Sequence, residues 1–377
     1  MRSQTARRTA VALLVAGLLA SPLLADRAAL KAEIDHTRAE IEGTGEGLFT
    51  RYGEPETARA LGRFWVLIQT WTSEYLDAHP QASAREVEAD LTALARQGDL
   101  SPSAVRLTGD AVVIAIEWGF HGTVFAVSRT LPQPFRVVWD IRAVAEKSPD
   151  SELAGWIETV PGVHSGPLGG RVLALPPARS GRPRFLTDAI EHAGMGLSVP
   201  GQIGVWEWTG SEAIPKFLQS YLTTGGPDAR LQGGRILVPT KESPRMFYTC
   251  GSCDDPQGTW TLRVTPDGVT DLGHSFADPL VQFVDDLLDR VAHGRDATAL
   301  ASHSARVHLT EILAGLREEE GPEDDLGLGM LMGWKVRKHG NRRVIDLETD
   351  RGRLLLTVGQ RAGKPYVIAV QEPEAGN

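Results

Sequence analysis

One short pattern recurs in the middle of the chain: a glycine, a polar or small residue, then an apolar run rich in β-branched residues. It appears as Gly109-Asp110-Ala111-Val112-Val113-Ile114, as Gly170-Arg171-Val172-Leu173-Ala174-Leu175, and as Gly234-Arg235-Ile236-Leu237-Val238-Pro239. The starts are 61 and 64 residues apart. Self-similarity at such a period points to one supersecondary unit used repeatedly. Each copy precedes a tryptophan-bearing strand: Trp139, then Trp206 and Trp208, then Trp260. β-Branched and aromatic runs punctuated by Gly and Pro are strand signals. The second and third copies each have room for four strands, the third over 236–241, 246–249, 259–265 and 269–272.

Consecutive four-stranded meanders of this kind over 104–272 resemble propeller blades. Propellers close with about four to eight blades, so three candidates also leave an open meander, a sandwich or closure by a second subunit as alternatives. The flanks read differently. Leu61, Phe64, Trp65, Ile68, Thr72, Tyr75 and Leu76 recur at three and four, the helical period. Ser83 followed by Glu86 is a capping box opening another helix. After 273, Leu280, Phe283, Val284, Leu287, Leu288 and Val291 predict an amphipathic helix, and 307–316 a second. Strands follow at 334–338, 343–348, 353–360 and 366–370. Helices followed by a short antiparallel sheet make a small α+β layer, similar in element order to the cone fold of the nuclear transport factor two and SnoaL-like superfamily. No catalytic acid or base of that superfamily falls on a residue of this chain, so the resemblance implies no activity. The expected fold class is therefore α+β multidomain: 1–25 a signal peptide, 26–98 helical, 99–272 β-rich antiparallel meanders, and 273–377 an α+β module.

The first 25 residues carry an address. Arg2, Arg7 and Arg8 precede the uncharged apolar stretch 10–20, and Ser21-Pro22-Leu23-Leu24-Ala25 ends on a small residue at the cut, with Leu23 bulky for the −3 place. That is the layout of a cleaved secretory signal; the apolar run is short of the ~20 residues that span a bilayer. The predicted location is periplasmic or secreted, with no stable membrane span after cleavage. Cleavage would move the formal charge from −9 to −12, because three arginines and no acids leave. An acidic balance argues against a nucleic-acid partner, which needs cations to neutralise phosphates. As a whole the chain resembles secreted bacterial proteins of no assigned activity that carry a Cys-Gly-Ser-Cys hairpin.

That hairpin, Cys250-Gly251-Ser252-Cys253, holds both cysteines of the chain. In a thiol–disulfide enzyme the first thiol sits at a helix N-terminus, which lowers its pKa. Here the flanks read as strands, and Asp254 and Asp255 disfavour a thiolate. In an oxidising compartment the pair is expected to close a local structural disulfide. Other chemistry is poorly supported. No His-Glu-x-x-His or Gly-Lys-Ser/Thr occurs, and Ser165 sits one place late for a nucleophile elbow in Gly162-Val163-His164-Ser165-Gly166. His308 and Glu311 share a helix face but lack a third ligand. Asp285 and Asp289, four apart, are expected on a solvated face. No catalytic residue, cofactor or metal site is predicted.

Nine tryptophans are the remaining signal. Trp206 and Trp208 lie on one strand face. If exposed, they and Trp260 form an aromatic platform for a protein or carbohydrate ligand of the envelope. The leading expectation is a non-enzymatic binding or interaction protein using that platform. An enzyme with a pocket in 273–377 is second, and a thiol–disulfide protein using Cys250 and Cys253 third.

Overall fold

A computed structural model describes residues 27–43, 55–95, 100–118, 121–141, 159–160, 163–164, 169–190, 199–223, 228–241, 256–319, 331–349 and 352–371. It is a mixed α+β structure: the described residues form five helices and four antiparallel four-stranded sheets, plus a two-stranded ribbon. Two compact units divide the chain, one of 1–192 with 202–219, the other of 193–201 with 220–377. The division runs through the β-rich stretch.

The first unit begins with helices α1 (27–43), α2 (Pro55–Ala78) and α3 (Ala84–Thr92). The capping box forms as the sequence predicts: Glu86 N–H donates to Ser83 Oγ at 3.3 Å, and Ser83 N–H donates back to Glu86 Oε2 at 2.6 Å. The helices lie on a meander of β1 (Leu100–Thr108), β2 (Ala111–Trp118), β3 (His121–Ser128) and β4 (Arg136–Asp140). Strands β2 and β3 are buried almost without alternation because both their faces are covered, and β3 carries His121, Thr123 and Ser128 among its buried residues. Val112, Ile114, Ile116 and Trp118 pack under Phe64, Trp65 and Ile68 of α2. Val113, Ala115, Val124 and Ala126 face the other way, toward the next sheet. After the ribbon β5 (Thr159–Val160) and β6 (Val163–His164), that sheet comprises β7 (Gly169–Leu175), β8 (Arg184–Ile190), β9 (Val199–Trp208) and β10 (Ala213–Thr223), ordered β10-β9-β8-β7.

The second unit holds the third meander, β11 (Arg230–Gln232), β12 (Arg235–Lys241), β13 (Gln257–Thr265) and β14 (Gly268–Phe276). Its fourth strand precedes β12; the expected strand at 246–249 lies outside the described residues. Next come α4 (Pro279–Ala292), capped by Asp278 Oδ1 accepting from Leu280 N–H at 2.8 Å, and α5 (His303–Glu319). The final meander is β15 (Leu331–His339), β16 (Arg342–Thr349), β17 (Gly352–Arg361) and β18 (Lys364–Gln371). One core joins the two helices to this sheet through Val284, Leu288, Leu309, Ile345, Leu356 and Val367.

The three repeated glycines serve different needs. A Cβ on Gly170 would lie 2.2 Å from the backbone oxygen of Asp188 on the neighbouring strand. Gly234 sits at φ +73°, a conformation that costs an L-residue about 1–2 kcal/mol. Gly109 meets neither constraint. Gly109 and Gly234 lie in the turns that precede β2 and β12, the second strands of their sheets, whereas Gly170 lies inside β7, the first strand of its sheet, so the repeat does not mark one shared place.

Candidate functional site

The tryptophan platform does not exist. Trp206, Trp208 and Trp260 are 0 %, 2 % and 0 % exposed. Trp206 meets Trp139 edge-on, with ring centroids 5.1 Å apart, and Phe185 lies nearly parallel to it at 6.4 Å. Its indole N–H donates to Thr187 Oγ1 at 2.8 Å. Trp208 belongs to the same buried cluster. Trp260 donates its N–H to Asp271 Oδ1 at 2.9 Å and stacks on His274 at 5.4 Å. The strand period placed Trp206 and Trp208 together correctly, but their face is the one covered by the first sheet. A ring of this size buries about 150–250 Å², so the stripe is core.

Asp285 and Asp289 likewise depart from expectation, since both are buried. Helix α4 is covered on more than one face, and its buried residues include both acids. Asp289 is held by Arg295 Nη2 at 2.8 Å and by His293 Nδ1 at 3.2 Å. Cys250 and Cys253 lie outside the described residues.

Polar groups converge instead at one end of the last sheet. Strands β15 and β16 are joined by the two-residue loop Gly340-Asn341, with Gly340 at φ +60°, a positive value that glycine supplies at a hairpin's first loop position. The register sets Lys338 opposite Arg343, and His339 opposite Arg342. Like charges directly opposite across a ladder are unfavourable, so this end is held at an electrostatic cost. Over 331–349 and 352–371 there are eight Lys or Arg and two Asp or Glu, in a chain of net charge −9. One of those acids, Asp346, is buried and already engaged. Arg353 donates from Nε to Oδ1 at 2.6 Å and from Nη2 to Oδ2 at 2.5 Å, while Arg337 Nη2 reaches Oδ2 at 3.2 Å. The hydrogen bonds from Arg353, and its charge and that of Arg337, hold the Asp346 carboxyl below the usual carboxylate range against the opposing effect of burial.

Asp346 therefore absorbs Arg353 and Arg337. Lys338, Arg342 and Arg343 remain exposed and make no ion pair among the described residues. They line an open groove of about 540 Å³ together with Asn341, Gln360 and Ile368. Among the described residues its lining includes three cations, two side-chain amides and no carboxylate. A second open groove, of about 480 Å³, lies along α5 and is lined by His303, Ser304, Val307, His308 and Glu311. There His308 Nδ1 stands 3.5 Å from Glu311 Oε2, as the helical spacing implied. No group of three His, Cys, Asp or Glu suited to a metal ion occurs among the described residues.

Sequence reading missed the cationic end because the global charge is negative; a running count over 331–371 would have shown it.

No protein-family model matches the chain, and no curated protein does either. Among solved structures the chain is similar to one from Bacteroides fragilis described as a "putative 6-phosphogluconolactonase", at 6 % identity over 74 % of this chain and 82 % of that one. The TM-score is 0.15, so this likeness carries no argument about fold or function. No helix among the described residues is long and apolar enough to cross a membrane.

Proposed function

We propose that this is an extracytoplasmic, non-enzymatic binding protein, and that its contact surface is the cationic end of the β15–β18 sheet rather than the tryptophan strands. The observation that carries this reading is the convergence of Lys338, Arg342 and Arg343 on one open groove without a counter-charge among the described residues. Export rests on the leader-like 1–25 segment. The Cys250–Cys253 pair belongs to the same reading, as a disulfide closing a hairpin in an oxidising compartment.

A photo-crosslinking residue at Gln360, on the groove, tests the surface in an envelope extract. Adducts are expected there and not from the same probe at Ser180, on a turn of the first unit. Equal yields at both positions would sink the assignment. Export is checked by N-terminal sequencing of protein from the periplasm of a bacterial host. A start at Asp26 is expected, and a full-length cytosolic product would contradict it. Alkylation before and after reduction, read by mass spectrometry, reports the disulfide; two free thiols in exported protein would remove it.

An enzyme reading is favoured by one observation, the His308–Glu311 contact beside Ser304 in the α5 groove. It requires that loss of the His308 imidazole abolish a measurable turnover while leaving ligand capture at Gln360 unchanged.

A further inference from the structure

We infer that the groove beside the Gly340-Asn341 turn is a site for a phosphate-bearing ligand. This deepens the binding reading above and rests on it. Lys338 and Arg343 face each other across the β15–β16 ladder, and Arg342, which the register places with His339 on the alternate face at the strand end, also lines the groove. An opposed like-charged pair destabilises a hairpin by itself, and a polyvalent anion between the two side chains turns that repulsion into attraction. Two arginines, one lysine and the amides of Asn341 and Gln360 offer many N–H donors in one place. Guanidinium forks match the oxygen spacing of phosphate and bind it bidentately, and an ammonium adds a point charge.

Asp346 could have neutralised this end, but it is buried and held by Arg353 and Arg337. Glu348 is the other acid of the described sheet, and it lies five residues along β16 from Arg343. With no carboxylate among the described residues of its lining, the groove as described does not repel an anion. Its volume of about 540 Å³ accommodates a phosphorylated small molecule or the headgroup of an anionic phospholipid. Both sources present the same phosphate oxygens, so the test separates them.

The full chain, after leader removal, is titrated with inorganic pyrophosphate by calorimetry at low ionic strength. The triple variant Lys338→Gln, Arg342→Gln, Arg343→Gln is titrated alongside. Saturable 1:1 binding is expected, weakened at least tenfold in the variant and by added salt. Removing an opposed like-charged pair should leave the thermal midpoint unchanged or higher, which separates lost binding from lost folding. The single change Arg342→Gln serves as a milder check and should weaken binding severalfold. A second arm uses phosphatidylcholine vesicles with and without one-fifth phosphatidylglycerol. Vesicle binding that needs phosphatidylglycerol, needs the three cations and is displaced by pyrophosphate supports the site with a lipid headgroup as its ligand. Pyrophosphate binding without vesicle binding supports it with a soluble phosphate ester. Absence of both, or binding undiminished in the triple variant, overturns the inference. If that happens while Gln360 crosslinks persist, only the ligand class falls. Loss of the Gln360 crosslinks removes the binding reading itself.

Discussion

Replacing Thr187 with valine changes one atom pair and should report on the whole inter-sheet core. Thr187 Oγ1 accepts the Trp206 indole N–H at 2.8 Å, and both residues are buried. Valine keeps the shape of threonine and removes the acceptor, so a buried donor is left without its partner. That costs about 2 kcal/mol. For a unit of roughly 200 residues each kcal/mol moves the thermal midpoint by about 2–4 °C, so the expected fall is about 4–8 °C. Trp206→Ala removes a ring burying about 200 Å², worth roughly 5 kcal/mol at 25 cal/mol per Å², in line with the roughly 3–5 kcal/mol cost of such truncations. Its midpoint should fall by more than 10 °C, on the order of twice the valine effect. In a Trp206→Phe background the indole N–H is absent, so Thr187→Val should cost about 1–2 kcal/mol less than in the parent. Thermal melts of the four members of this cycle, and of Trp206→Ala, supply every number. An unchanged midpoint for Trp206→Ala, or an identical cost of Thr187→Val in both backgrounds, refutes the packing argument.

Three further outcomes follow from local geometry. Alanine at Gly170 should be the costliest of the three repeated glycines, because its Cβ would strike the Asp188 oxygen; Gly234→Ala should cost about 1 kcal/mol and Gly109→Ala close to nothing, as denaturant midpoints will show. Ala362 sits at φ +51° in the β17–β18 turn, so Ala362→Gly should stabilise the C-terminal unit by about 1 kcal/mol in the same assay. Asp346→Asn should cost about 1.5 kcal/mol at neutral pH, near the low end for hydrogen bonds to a charged group, since both arginines are partly solvated and rehydrate. The folded Asp346 carboxyl titrates below its unfolded value, so its contribution is full above the unfolded pKa of about 3.9. It is lost as pH falls through the folded value. Stability of the parent should therefore drop toward acid more steeply than that of the asparagine variant.

The helices and their ends were legible because the signals are local. The Ser83–Glu86 box needs only four residues to declare itself, and the stripe on α2 needs only its own period. What sequence could not supply is which face another layer covers. Period two puts Trp206 and Trp208 on the same side of β9, yet solvent and a second sheet are equally consistent with that spacing. Asp285 and Asp289 show the converse error, since acids at helical spacing normally face water and α4 is wrapped more completely than its stripe implies. The cationic groove was hidden by averaging: its residues are polar, lie at a hairpin tip, and reverse the sign of the chain only locally.

Amide chemical-shift mapping of the full-length mature chain, titrated with pyrophosphate, addresses the central claim most directly. Progressive shifts confined to 338–343 and 359–360, with those around Trp206, Trp208 and Trp260 unmoved, are the predicted result. Shifts centred on the tryptophan strands, or spread evenly over both units, would contradict it.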